Sequence, residues 1–167
     1  MMKKLLSLAT LLLLVLSASA QSITGKWKGN FQDEGINMPY TMSLNDKGTI
    51  VVNITAKDTD PQIGTIHMSI KVAGTYKVAN KVLSVTLNPK KQSAEVTKID
   101  FNNTLKAAML AQPGMDREMI NMVNEQLRGS TNDLVKDVPF SGDINITELT
   151  DKKLVLSKGN DTFVLTK

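Results

Sequence analysis

Residues 23–31 read ITGKWKGNF and hold the only tryptophan of the 167-residue chain. Gly25, Trp27, Gly29 and Phe31 fall on one parity, and Lys26, Lys28 and Asn30 on the other. Successive side chains of an extended chain point to opposite faces, so this stretch reads as a strand with one buried and one solvated side. A lone tryptophan at the head of such a strand asks for a large buried site to receive it.

The same alternation runs through most of the sequence. Tyr40, Met42 and Leu44 oppose Thr41, Ser43 and Asn45, and Ile50, Val52 and Ile54 oppose Val51, Asn53 and Thr55. Between them Asn45-Asp46-Lys47-Gly48 has the composition of a hairpin turn. The longest run keeps Ile66, Met68, Ile70, Val72, Tyr76 and Val78 on one parity, with Gly74 among them, where a missing side chain lets a strand bend sharply. Ala79-Asn80-Lys81 turns the chain into Leu83, Val85 and Leu87. Val96, Ile99 and Phe101 change parity near Thr97, which predicts a bulge. Alternation returns in Phe140, Ile144 and Ile146, in Leu154 and Leu156, and in Phe163 and Leu165. Half-buried antiparallel strands in this number must bury their faces against each other. Sequential hairpins favour a mainly β fold, an antiparallel up-and-down β-barrel of about 8–10 strands.

One stretch, 102–136, loses the alternation and gains helical spacing. Leu105, Ala108 and Met109 precede Pro113-Gly114, and Met119, Ile120, Val123 and Leu127 follow it. Asp116 is placed to cap the second helix and Gly129 to end it. The result is a helical insertion ahead of the last strands.

At the N-terminus Lys3 and Lys4 precede an apolar stretch from Leu5 to Leu16, broken only by Ser7 and Thr10, and Ala18-Ser19-Ala20 follows. Charged start, short apolar core and small-x-small end together predict a signal peptide over 1–20. The mature chain then begins at Gln21 as a single domain, 21–167, exported to the periplasm or beyond a Gram-negative cell. The apolar stretch is too short to span a bilayer, so the mature chain is expected to have no integral membrane segment. The formal net charge of +4 falls to +2 when Lys3 and Lys4 leave with the leader, and no polybasic run appears, which argues against a nucleic-acid partner. The chain has no cysteine. Disulfides, thiol catalysis, thiolate metal sites and lipid attachment are excluded together, and stability must come from packing.

The Gly25-x-Trp27 element at the start of the first strand resembles the lipocalins. So do Gly74-Thr75-Tyr76-Lys77-Val78 with the following Leu83-Ser84-Val85, and the ending 149–156, LTDKKLVL, which are similar to bacterial lipocalin-like domains. The resemblance spans most of the mature chain. It implies that Trp27 closes the bottom of the barrel beneath a basic side chain near the last strand, for which Lys158 and Lys167 are the candidates. It also implies a small apolar ligand.

Enzyme readings find no named machinery. His-Glu-x-x-His, Gly-x-Ser-x-Gly and phosphate-cradling glycine loops are all absent. His67, the single histidine, lies on the polar parity of its strand and reads as a surface residue. Asp58-Thr59-Asp60 begins like a calcium loop, but Ile63 stands at the sharp-turn position and Ser69 at that of the bidentate ligand, so a polar turn is the better reading. No cofactor is expected. The ligand-binding candidates are Tyr40, Met42, Met68, Tyr76 and Phe101 in the lumen, under a lid containing Met119 and Val123. Methionines gather in the insertion as Met109, Met115, Met119 and Met122, and their flexible thioethers suit adaptable apolar surfaces. Two function classes stand: an exported carrier of a small apolar ligand, or a packed barrel serving as a structural or protein-interaction domain.

Overall fold

The computed structural model describes residues 22–33, 36–112, 114–125 and 138–167. The leader and Gln21, and Leu127 and Gly129 of the insertion, lie outside these residues. Eight strands follow one another: β1 (Gly25–Asp33), β2 (Ile36–Leu44), β3 (Thr49–Asp60), β4 (Gly64–Ala79), β5 (Val82–Phe101), β6 (Gly142–Leu149), β7 (Lys153–Lys158) and β8 (Asp161–Thr166). Each pairs antiparallel with the next, and β8 returns to β1, closing an up-and-down barrel. Helices α1 (Asn103–Ala111) and α2 (115–125) stand between β5 and β6.

Local chemistry accounts for the turns. In the turn after β2, Asn45 Oδ1 accepts hydrogen bonds from the Lys47 and Thr49 amides at 3.0 and 2.9 Å. Asn80 and Lys81 carry φ of 51° and 61° and form the two-residue loop joining β4 to β5, a pair of left-handed residues matched to the twist of a tight hairpin. His67 pairs with Lys98 and Met68 with Val96, so Thr97 is the extra residue of a bulge. A larger irregularity, unread in the sequence, lies nearby. Val72 pairs with Gln92 but Gly74 with Leu87, leaving Asn88-Pro89-Lys90-Lys91 looped out opposite Ala73. Gly74 permits it, because a Cβ there would run into the backbone of Thr86 and Leu87. Pro89 has no N–H to give to a ladder, and its place in the loop-out is consistent with that.

Two expectations are corrected. Phe140 is fully buried but lies in a turn ahead of β6, not on a strand. Val78 is 45% exposed despite its parity, because β3 stops opposite Thr75 and leaves Val78 unflanked on that side.

Inward parity fills the barrel. Trp27, Met42, Val72, Leu83, Leu154 and Leu165 have no solvent exposure. Trp27 lies at the end where the chain enters, its Nε1 donating to the Ile23 carbonyl at 2.8 Å, so its one polar atom is satisfied inside the core. Lys167 Nζ stands 4.6 Å from the centre of the Trp27 ring, a cation over a π face. Lys158 is occupied elsewhere, donating to the carbonyls of Pro139 and Ser141 at 3.3 and 2.6 Å. Glycine on either side of Trp27 now has a reason. A Cβ on Gly25, at φ 133°, would meet Lys167 Cε at 2.9 Å, so the glycine leaves the lysine its path to the ring. A Cβ on Gly29 would meet the Tyr40 hydroxyl at 2.5 Å, so this glycine makes room for the tyrosine paired opposite it.

Emptying a large, fully buried aromatic site costs about 3–5 kcal/mol. Trp27→Ala is expected to lose that much in denaturant melts against wild type; a loss below about 1 kcal/mol would mean that the ring is dispensable to closure.

Candidate functional site

The site begins with a mismatch in strand length. Among the described residues β5 pairs with β6 only from Val82 to Val85, and the rest of its length pairs with β4. β3 and β4 remain paired as far as Asp60 and Gly64. The upper parts of β3, β4 and β5 therefore form a three-stranded sheet that outruns the barrel. Its inner face carries Ile66 and Met68 from β4 and Val96, Ile99 and Phe101 from β5. An apolar sheet face must be covered.

The two helices cover it. Leu105 and Met109 of α1 and Met119, Ile120 and Val123 of α2 pack against Val96, Ile99 and Phe101 in a second apolar cluster, separate from the barrel core. Two asparagines fix the helices. Asn102 caps α1 by accepting from the Leu105 amide at 2.9 Å, while its Nδ2 donates to the carbonyls of Pro61 and Gln62 at 3.2 and 2.6 Å. Its backbone amide also donates to the Ile63 carbonyl, so one residue ties the cap of α1 to the β3–β4 turn. Asn124 Oδ1 accepts from the Val96 amide at 2.6 Å, holding α2 to β5. Asp116 is not the cap of α2: the Gly114 carbonyl takes the first helical bond, from the Glu118 amide, and Asp116 falls inside the first turn, where a carboxylate favours the helix N-terminus.

The seven candidate residues do not line one lumen. Met68, Phe101, Met119 and Val123 meet in the second cluster. Tyr40 and Met42 belong to the barrel core. Tyr76 lies at the opposite end, half-buried, its hydroxyl donating to the Asn45 carbonyl at 2.7 Å. Parity says which face of a strand a residue occupies, and leaves its height along the barrel axis open. Tyr40 belongs to an aromatic layer of the barrel core. Phe31 stacks on Tyr40 at 4.3 Å, and Phe140 lies 4.9 Å from Tyr40 and 5.1 Å from Phe163. These rings fill the end of the barrel opposite Trp27.

The two cores differ in tightness. Eleven large side chains of the barrel core have below 2% exposure. In the second cluster the most buried residues keep 6–9%, and Ile63, Ile66, Met68, Leu105, Met109, Met119, Ile120 and Val123 are all partly exposed. Three methionines line that looser space.

The polar candidates take structural places. His67 Nε2 lies 2.7 Å from Asp100 Oδ2 across β4 and β5, and Lys98 Nζ lies 2.5 Å from Asp100 Oδ1. Hydrogen bonds from Lys98 and then His67 hold the exposed Asp100 carboxyl below its ordinary value. Asp60 Oδ1 accepts from the amides of Gln62 and Ile63 at 2.7 and 3.0 Å, which makes the Asp58–Asp60 stretch the start of a side-chain-stapled turn. Among the described residues no cluster of histidine, aspartate or glutamate is placed to hold a metal ion. The sequence matches no family model and no curated protein.

The capping role of Asn102 was missed in the sequence, although an asparagine ahead of a helical stripe is its ordinary signal. The Tyr40 hydroxyl carries no such signal. It is buried among rings without a hydrogen-bond partner, and burial pushes its pKa above the ordinary tyrosine value. An unpaired buried hydroxyl costs roughly 1–3 kcal/mol of desolvation. Tyr40→Phe is therefore expected to leave stability unchanged or raise it, by up to about 1 kcal/mol in denaturant melts; a loss of more than about 1 kcal/mol would show that the hydroxyl is bonded in solution.

Proposed function

We propose that the protein is an exported, lipocalin-like binding protein for a small apolar ligand, received between the three-stranded extension and the two helices. The observation that carries this reading is the contrast between the cores. A domain that packs eleven large side chains of one core below 2% exposure and leaves a second, methionine-rich one looser has more room to repack in the second. Lipocalin-like membership rests on the Gly25-x-Trp27 element, with Lys167 over the ring, and on the up-and-down closure of the strands. Export rests on the leader-like residues 1–20.

The second reading, a packed interaction domain, is favoured by the filling of the barrel itself. Its lower part is occupied by side chains, and the aromatic layer fills its other end. A ligand of the lumen type has no place there, so the two readings differ only over the cluster under the helices.

Titration with the dye 1-anilinonaphthalene-8-sulfonate, followed by displacement with palmitate and with cholesterol, tests the carrier. Wild type is expected to bind the dye saturably and release it to at least one competitor. Met119→Lys places a charge in the cluster and is expected to weaken binding at least about tenfold, because an unpaired charge is costly in an apolar site. No saturable binding in wild type would leave the packed interaction domain standing. Export is tested separately by N-terminal sequencing of the native protein, which is expected to begin at Gln21; a retained Met1 would refute processing.

A further inference from the structure

The outer wall of the barrel carries a second, chemically opposite surface. Strand register aligns Lys28 of β1 with Thr41 of β2, Asn53 of β3 and Lys71 of β4 in one row across the sheet. On its other side Lys28 faces Thr166 of β8. Neighbouring strands lie about 4.8 Å apart, so the two lysines stand roughly 14 Å apart with a hydroxyl and an amide between them. Both are exposed, and neither forms an ion pair among the described residues.

Charge on this wall is one-sided. The described outward positions of β1 to β4 hold lysine, asparagine, serine and threonine, with Pro39, Val51, His67, Ala73 and Ala79, and no aspartate or glutamate. Carboxylates resume on β5, with Glu95 opposite Ser69 and with Asp100, which Lys98 and His67 already engage. Along the part of the row from Thr166 to Asn53 lies an open groove of about 390 Å³, which ends one strand short of Lys71. Its polar lining is Lys28, Asn30, Thr41, Asn53, Thr55 and Thr166. The Asn53 amide sits 3.5 Å from Thr41 Oγ1, at the limit of a hydrogen bond, so its donors and acceptor are largely unspent.

We propose that this groove is a binding site for an acidic glycan, one sugar seated at Lys28 and the chain running across the strands toward Lys71. Hydroxyl and amide side chains supply both donors and acceptors, as a polyhydroxyl ligand requires, and the ammonium groups meet carboxylate or sulfate as point charges. Other polyanions fit less well. Single-stranded nucleic acid draws its affinity from stacking on aromatic faces, and the only aromatic residue lining the groove, Tyr40, turns its ring into the core. A membrane surface is held by apolar anchors beside the basic residues, which the row does not offer. The site is independent of the cluster under the helices and stands or falls without it.

Calorimetric titration of the purified protein with an oligogalacturonate, a heparin-derived oligosaccharide and neutral dextran tests the proposal and separates carboxylate from sulfate. At least one acidic oligosaccharide is expected to bind saturably and to weaken as salt rises from about 50 to about 300 mM, while dextran does not bind. The double variant Lys28→Gln/Lys71→Gln is expected to bind at least about tenfold more weakly, and Lys47→Gln, which removes one lysine charge from a turn elsewhere, to bind as wild type. Amide chemical-shift changes in wild type are expected at Lys28, Thr41, Asn53 and Thr55, a readout that needs no variant to fold. Failure of both acidic oligosaccharides would overturn the proposal. So would an unaffected double variant, an equal loss in Lys47→Gln, or equally tight binding of a single-stranded oligonucleotide or of phosphatidylglycerol vesicles.

Discussion

Closing a sheet on itself requires that the inward side chains fill the enclosed volume, and at the end where the chain enters that requirement falls on Trp27. The indole is sealed by its own neighbours: the Ile23 carbonyl takes its N–H, and Lys167, the final residue, lies over its face. The contact therefore joins the first strand to the end of the last, where β1 and β8 share a single registered pair, Lys28 with Thr166. A cation on an aromatic face is worth about 0.5–1 kcal/mol when exposed, less than the burial of the ring itself. Hydrophobic filling sets the stability of the closure, and the lysine covers what the ring leaves open. Alanine at position 25 would be strained, because Gly25 combines a positive φ with the space that Lys167 crosses.

From that anchored end the strands rise to unequal heights, and the rest of the architecture follows from the inequality. Among the described residues only Val82 to Val85 join β5 to β6, so β3, β4 and β5 continue as a sheet whose apolar face the barrel does not enclose. The helices are the cover for this face. They are fastened by Asn102, whose side chain caps α1 and bonds the carbonyls of the β3–β4 turn, and by Asn124, whose side chain takes the Val96 amide of β5. The loop-out at 88–91, with Pro89 and two lysines, lies on the part of β5 that has β4 on one side and no described strand on the other. Proline and lysine on such an edge discourage pairing with another chain.

Two surfaces with opposite chemistry result. Beneath the helices lies an apolar space with partial exposure and polarizable methionines, suited to varied shapes. Outside β1 to β4 lies a polar wall with unpaired lysines, suited to ordered hydrogen bonding and charge. The residues Lys26, Lys28 and Asn30 that make β1 amphipathic belong to the second surface, while Trp27 and Phe31 of the same strand belong to the barrel core or pack against it. A single alternating stretch thus contributes to closure on one side and to the polar outer wall on the other.

The sequence by itself determined the strand count class, the parity of nearly every core residue, the turns at Asn45–Gly48 and Asn80–Lys81, the bulge at Thr97 and the existence of a helical insertion. These are local: alternation, turn chemistry and helical spacing act over a few residues and leave their trace in the residues themselves. It did not determine that Met68 and Phe101 lie apart from Tyr40 and Met42, since all four share the same kind of parity and differ in height along the barrel. Nor did it reveal that Lys28, Thr41, Asn53 and Lys71 form one row, or that Lys167 rather than Lys158 reaches Trp27. Those relations are set by register between strands distant in the chain, and register depends on where each bulge and loop-out falls. Only the closed tertiary structure fixes all of these at once, because shifting one strand by a single residue would turn its whole apolar face outward.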